Sequence, residues 1–239
     1  MANAEATILN LLQRYRAEIV PFGAAWNPPD AEAKADALLD KYNVGQELLE
    51  AFEKRGESLE TKGNNLRDAI AAAKKRASGW TNLIKSAGWD ANDSEHFVSL
   101  NRQIQDNTKP AAAGTAPETP TRLRRREISE IAAAKDVVLT QMIEFTRAQG
   151  FKTEEPNYKI ENIEAERDEL RTLAADYTTE IGAADDEQRS LEQHFYLAPN
   201  NIVDVCNNAK PYARAVWGAA STVARNLSKL QFRKPKRFS

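Results

Sequence analysis

Apolar residues recur along this chain at steps of three, four or seven, a rhythm that leaves helix as the only regular structure able to bury them together. From Val44 the ridge reads Val44, Leu48, Phe52, Leu59, Gly63, Leu66, Ile70, Ala73, Ala77, Trp80 and Ile84. It returns as Ile163, Leu170, Leu173, Tyr177, Ile181, Ala184, Leu191 and Phe195. Residues so spaced form one stripe of a helix, and a stripe of that kind is stable only against other helices. The chain is therefore expected to be an all-α helical bundle. At 239 residues it is long enough for a sizeable core.

Breaks in the rhythm divide the chain. Pro21 and Gly23 end a first helix carrying Ile8, Leu11, Leu12, Tyr15 and Ile19. The run Trp26-Asn27-Pro28-Pro29-Asp30 reads as a rigid loop, with Asp30 as N-cap of a helix over 31–40 and Asn43 as cap of the next. Gly63-Asn64-Asn65 suits a turn, so a hairpin of 44–62 and 65–87 is preferred to one long helix. Residues 108–121, rich in Pro and Ala, have the composition of a linker. Four arginines within 122–126 precede a helix from about Glu127 to Gly150. A second long pattern over 158–198 is expected to turn near Gly182, and a last helix to kink or restart at Pro211.

On this reading a helical module over 1–107 and another over 122–239, the latter ending in a basic tail, flank the 108–121 linker. The two are related in order. Each has an opening helix (7–20 and 127–148), a connector, a hairpin, a tryptophan near the end (Trp89 or Trp217) and a polar-basic close. That order is the pattern expected of a tandem duplication.

The run Leu66-Arg67-Asp68-Ala69-Ile70-Ala71-Ala72-Ala73-Lys74-Lys75-Arg76, followed by Leu100-Asn101-Arg102-Gln103-Ile104-Gln105-Asp106-Asn107-Thr108, is similar to a group of uncharacterised bacterial proteins. These carry an alanine-rich helical hairpin, a basic strip and a Pro/Thr-rich extension. The close Leu230-Gln231-Phe232-Arg233-Lys234-Pro235-Lys236-Arg237 resembles their tails. The resemblance implies no activity, cofactor or site residue. The Trp26-Pro28-Pro29 loop and the acidic second hairpin depart from it.

Catalytic signatures are missing from the sequence. The ten glycines form neither a dinucleotide fingerprint nor a phosphate loop, and no GxSxG or HExxH occurs. His96 and His194 lack the preceding glutamate of a Glu-x-x-His pair. The single cysteine, Cys206, reads as a small buried hydrophobe. Carboxylate pairs such as Glu154-Glu155 and Asp168-Glu169 suit a solvated helix face. The expectation is a non-enzyme without cofactor or metal. No apolar run reaches membrane-spanning length and no leader is visible at Met1, so a cytoplasmic protein without membrane contact is expected.

Charge layout carries the functional expectation. Residues 161–192 hold eleven acidic and three basic residues, whereas 205–239 hold eight basic and none acidic. The expected role is a structural or scaffolding subunit, a homo-oligomer or a binder of another helical protein, that assembles through complementary patches. The interface residues are Arg233, Lys234, Lys236 and Arg237 on the basic side. On the acidic side they are Glu164, Asp168, Asp185, Asp186 and Glu187, and Trp26 is an exposed loop anchor. The alternative is nucleic-acid binding by the basic tail, with Phe232 and Phe238 stacking on bases and the 122–126 arginines as a second patch.

Overall fold

The computed structural model describes residues 2–106 and 120–236, and among them seven α-helices and no strand. They are α1 (Ala2–Ile19), α2 (Ala35–Ser86), α3 (Ala91–Gln105), α4 (Pro120–Ala148), α5 (Ile160–Glu192), α6 (Ile202–Trp217) and α7 (Thr222–Lys229). The linker residues 108–119 lie outside the described residues; Pro120 and Thr121 already belong to α4. The chain forms two compact units, 1–56 with 183–239 and 57–182, whose boundaries fall inside α2 and α5.

The unit of 57–182 is a four-helix arrangement with alternating direction. Its α2 ridge, Leu59, Gly63, Leu66, Ile70, Ala73, Ala77, Trp80 and Ile84, is buried throughout at alternating steps of four and three. Lys62 meets Glu180, and Arg76 meets Glu166, so α5 runs antiparallel to α2. Lys74 Nζ donates to the Gln105 carbonyl and Trp80 packs edge-on to Phe97, which makes α3 antiparallel to α2. Ser129–Thr178 and Asp136–Arg171 pair α4 with α5 in the same sense. Short connections between antiparallel neighbours are the usual solution for such a bundle. Trp89, in the turn before α3, packs edge-on to Phe97, Phe145 and Phe151 and covers one end of the core.

A buried charged side chain helps to hold α3 in place. Lys135 is 3% exposed, and its ammonium donates to the carbonyls of Gln103 and Asp106 at the C-terminus of α3. Those carbonyls have no partner within the helix and carry the negative end of its dipole. Burial, with the nearby Lys74 charge adding to it, lowers the Lys135 pKa.

The unit of 1–56 with 183–239 is less regular. Here α1 lies antiparallel to the first part of α2: Gln13 bonds Tyr42 at 2.7 Å and Arg16 reaches the Ala35 carbonyl. After a 3-10 turn at Val20–Ala25, Trp26 is buried, stacked on Trp217 at 5.6 Å and edge-on to Tyr15 and Tyr212. A π turn at Gln193–Leu197 ends α5, and the consecutive Phe195 and Tyr196 within it are both buried.

Five expectations are corrected. Gly63 does not break α2, because Tyr177 packs where its Cβ would stand, 3.1 Å away, so the glycine serves a close approach inside a helix that runs unbroken to Ser86. Asn43 is likewise interior to α2, and Asp30 caps a 3-10 turn over Ala31–Ala33. Nor does α5 turn at Gly182. The helix does not restart at Pro211, which sits within α6; α6 ends at Gly218, whose φ of 82° suits glycine.

Candidate interaction surface

The α6–α7 hairpin concentrates the basic residues. Asn201 caps α6 by accepting from the Asp204 N–H, Gly218 closes it, and Ser221 caps α7. Ile202, Val205, Cys206, Ala209 and Ala213 from α6, with Ala224 and Leu227 from α7, form the buried side. The following segment is fastened by polar bonds. Lys210 donates to the Leu230 carbonyl and lies 5.2 Å over the Phe232 ring, and Asn207 Nδ2 donates to the Phe232 carbonyl at 2.9 Å. Burial lowers the Lys210 pKa.

The expected interface residues fall into different roles. Lys234 pairs with Asp204 at 2.7 Å. Burial alone would raise the Asp204 carboxyl, yet hydrogen bonds from Lys234 and Asn201 hold it below the ordinary value. Arg233 and Lys236 are exposed, together with Arg214, Arg225 and Lys229, which the sequence reading did not single out. Arg237 and Phe238 lie outside the described residues. Phe232 is buried, so its ring face is not open to a base.

The α5 carboxylates expected at the interface are engaged within the chain. Glu187 pairs with Arg55 at 2.9 Å, Glu164 with Arg147 at 2.9 Å, Asp168 with Arg167 at 2.8 Å and Asp186 with Arg189 at 2.9 Å. Asp185 is half-buried and also engaged. Glu166 and Glu180 bind Arg76 and Lys62. Exposed acid remains on α5 at Glu161, Asp168, Glu169, Asp176 and Asp186, and a second group lies on α2. Asp36, Asp40, Glu47, Glu50 and Glu53 are exposed on α2; Asp36, Asp40 and Glu47 lie opposite buried Leu38, Gly45 and Leu49, and Glu50 and Glu53 step round toward that buried side. Glu47, Glu50 and Glu53 step by three off the apolar ridge, a signal present in the sequence but masked there by Lys41, Lys54 and Arg55.

Trp26 is not an exposed anchor. It is 4% exposed, and its indole N–H donates to the Ala33 carbonyl at 2.8 Å. The Pro-rich loop folds inward because α6 offers Tyr212 and Trp217 as partners, a contact across more than 180 residues that no local pattern announces.

Other reactive groups are built into the packing. Cys206 is fully buried, and burial pushes its thiol up to about 12. His194 Nε2 bonds the Lys41 carbonyl at 2.8 Å, and burial lowers its pKa. His96 is exposed, its ring 4.7 Å from Phe145. Among the described residues no group of three or more His, Cys, Asp or Glu is placed to hold a metal ion, and no helix is long and apolar enough to cross a membrane. An open cleft of about 400 Å³ beside the α4–α5 connection is lined by Arg147, Lys152, Tyr158, Lys159 and Glu161 among others. Comparison of the chain with protein-family models, with curated proteins and with solved structures finds no match.

Proposed function

We propose that the protein is a non-catalytic helical scaffold that assembles with copies of itself through complementary charged surfaces. One observation carries the reading: Arg214, Arg225, Lys229, Arg233 and Lys236 all stand exposed on a hairpin and tail that hold no acidic residue from 205 onward. A fixed surface of one sign orients encounter and suppresses wrong partners. Of the α5 carboxylates expected to receive it, Glu187 and Glu164 pair with arginines of other helices and Asp168 and Asp186 with arginines of α5 itself, so the receiving surface is assigned instead to the exposed Asp40, Glu47, Glu50 and Glu53 on α2. Two different patches on one molecule make a heterologous contact, which builds rings or filaments according to its rotation.

The test is mass by sedimentation across protein concentration at low and high salt, on the wild type and on two charge reversals. Assembly at low salt is expected to fall away at high salt, where exposed charges are screened. Arg225→Glu with Lys229→Glu is expected to abolish it, as is Glu50→Lys with Glu53→Lys, and mixing the two variants to restore it. A monomer at every concentration and salt contradicts the reading. Nucleic-acid binding, which the same basic face would favour, would appear in the same samples as co-sedimentation of a single-stranded oligonucleotide that weakens steeply with salt.

A further inference from the structure

The exposed acids of α2 do not share one side of the helix, and two of them border a groove. Asp36, Asp40 and Glu47 stand opposite the buried ridge, whereas Glu50 and Glu53 lie round toward α1. Between α1 and α2, inside the unit of 1–56 with 183–239, runs an open groove of about 270 Å³. Its floor is the buried pair Leu9 and Leu49, and its walls include the exposed Ala6 and Gln46. At Gly45 an added Cβ would stand 2.8 Å from Leu9, so glycine there lets α1 settle close to α2 and sets Leu9 deep. Among the described residues Glu50 and Glu53 are the only charged ones that line the groove, and neither has an ion-pair partner there.

An apolar floor beneath two unpaired carboxylates suits one kind of side chain. Lysine and arginine lay their methylene stems along apolar surface while the charged head reaches the polar edge. An uncharged knob seated there would take the carboxylates out of water without a partner, which is costly. The same chain carries the matching element. On α7 the exposed Arg225 and Lys229 are four residues apart and so project from one face. Neither pairs with a carboxylate among the described residues. Ala224 and Leu227 bury the other side of α7 and Ser221 caps it, so this basic stripe is held in place.

We infer that the α1–α2 groove of one copy receives Arg225 and Lys229 from α7 of a second copy, their stems on Leu9 and Leu49 and their charged ends on Glu50 and Glu53. This rests on the self-assembly proposed for the chain and narrows its receiving surface to one groove. Asp40 and Glu47, on the other side of α2, steer the encounter from outside the contact. A basic side chain seated in a partly closed site carries more of the binding than a charge on an open rim. Each copy offers both a groove and a stripe, so the contact repeats from copy to copy.

The test is the dissociation constant of self-association at low salt, by sedimentation of the full chain and three variants. Gln46→Arg sets a cation of the chain's own beside Glu50 and Glu53, and Ala6→Phe fills the groove with every charge left in place. Both positions are exposed, and a thermal midpoint near that of the wild type shows the fold kept. Each is expected to weaken association about tenfold or more. Asp36→Asn with Asp40→Asn removes acid outside the groove and is expected to change it by about threefold or less. A folded groove variant of either kind that associates like the wild type overturns the groove, as does a loss from the Asp36 and Asp40 pair as large as that from Gln46→Arg. In both cases charge-dependent self-assembly still stands. A wild type that stays monomeric at every concentration and salt removes self-assembly and the groove's occupant together.

Discussion

Leu59, Gly63, Leu66, Ile70, Ala73, Ala77, Trp80 and Ile84 line the interior of residues 57–182 as one heptad run on one helix. In the other unit Tyr15, Trp26, Tyr212, Trp217 and Phe232 come together from α1, a loop, α6 and the tail. The first interior follows from local spacing, because a helix that places one residue of the stripe places the rest. The second follows from contacts between residues far apart in sequence, each supplying a ring edge or face that another needs. Polar bonds serve both units: in 57–182 Lys135 and Lys74 donate to the carbonyls at the end of α3, and the last segment of the other unit is held by Lys210, Asn207 and Lys234.

The comparison breaks if the irregular aromatic core proves dispensable. Trp26→Ala is expected to cost about 3–5 kcal/mol, the usual range for deleting a buried tryptophan. The urea midpoint of the unit containing it should shift accordingly. A shift no larger than that of an exposed-site substitution such as Val137→Ala would mean that the loop is held by its backbone and not by its rings. Next in size, Lys135→Ala leaves the carbonyls of Gln103 and Asp106 without their donor and is expected to cost about 1–3 kcal/mol. Amide exchange in α3 should rise while α1 and α6 are unaffected.

A pH measurement sharpens the contrast further. The Cys206 thiol, held near 12 by burial, stays protonated in the folded protein well above the unfolded thiol value of about 8.5. Its contribution to stability is therefore fully present below about pH 8.5 and is lost as pH rises toward the folded value. By about pH 9.5 the loss should reach about 1.4 kcal/mol relative to neutral pH. Denaturant titrations of wild type and Cys206→Ala at both pH values should show this part of the slope only in the wild type. The smallest effects separate the exposed Gly56 and Gly182, where an added Cβ would meet nothing within 4 Å, from Gly63. Gly56→Ala and Gly182→Ala should each stabilise by about 0.5–1 kcal/mol, whereas Gly63→Ala, pressed by Tyr177, should give no gain or a loss.

How much was legible follows the same division. The helical class, the buried ridge from Leu59 to Ile84, the core position of Trp80 and the end of a helix at Gly88 were all written in local spacing. The hairpin expected at Gly63 was not, because glycine in a helix looks the same whether it ends the helix or admits Tyr177, and only the facing residue decides. The exposed anchor expected at Trp26 failed for the same reason, since Trp217 and Tyr212 are remote. At the candidate surface the basic hairpin was legible from composition. Which α5 carboxylates are already paired was not, because carboxylate counts on α5 say nothing of the arginines and lysines of α2 that meet Glu166, Glu180 and Glu187.

Native-state hydrogen exchange along α2 tests most directly whether one continuous helix serves two separately built interiors. The account predicts two plateaus of protection, over about 38–54 and about 63–84, with a minimum between them. Raising denaturant should shift the two plateaus independently, and Trp26→Ala should lower only the first. A single level of protection along the helix, falling uniformly with Trp26→Ala, would contradict it.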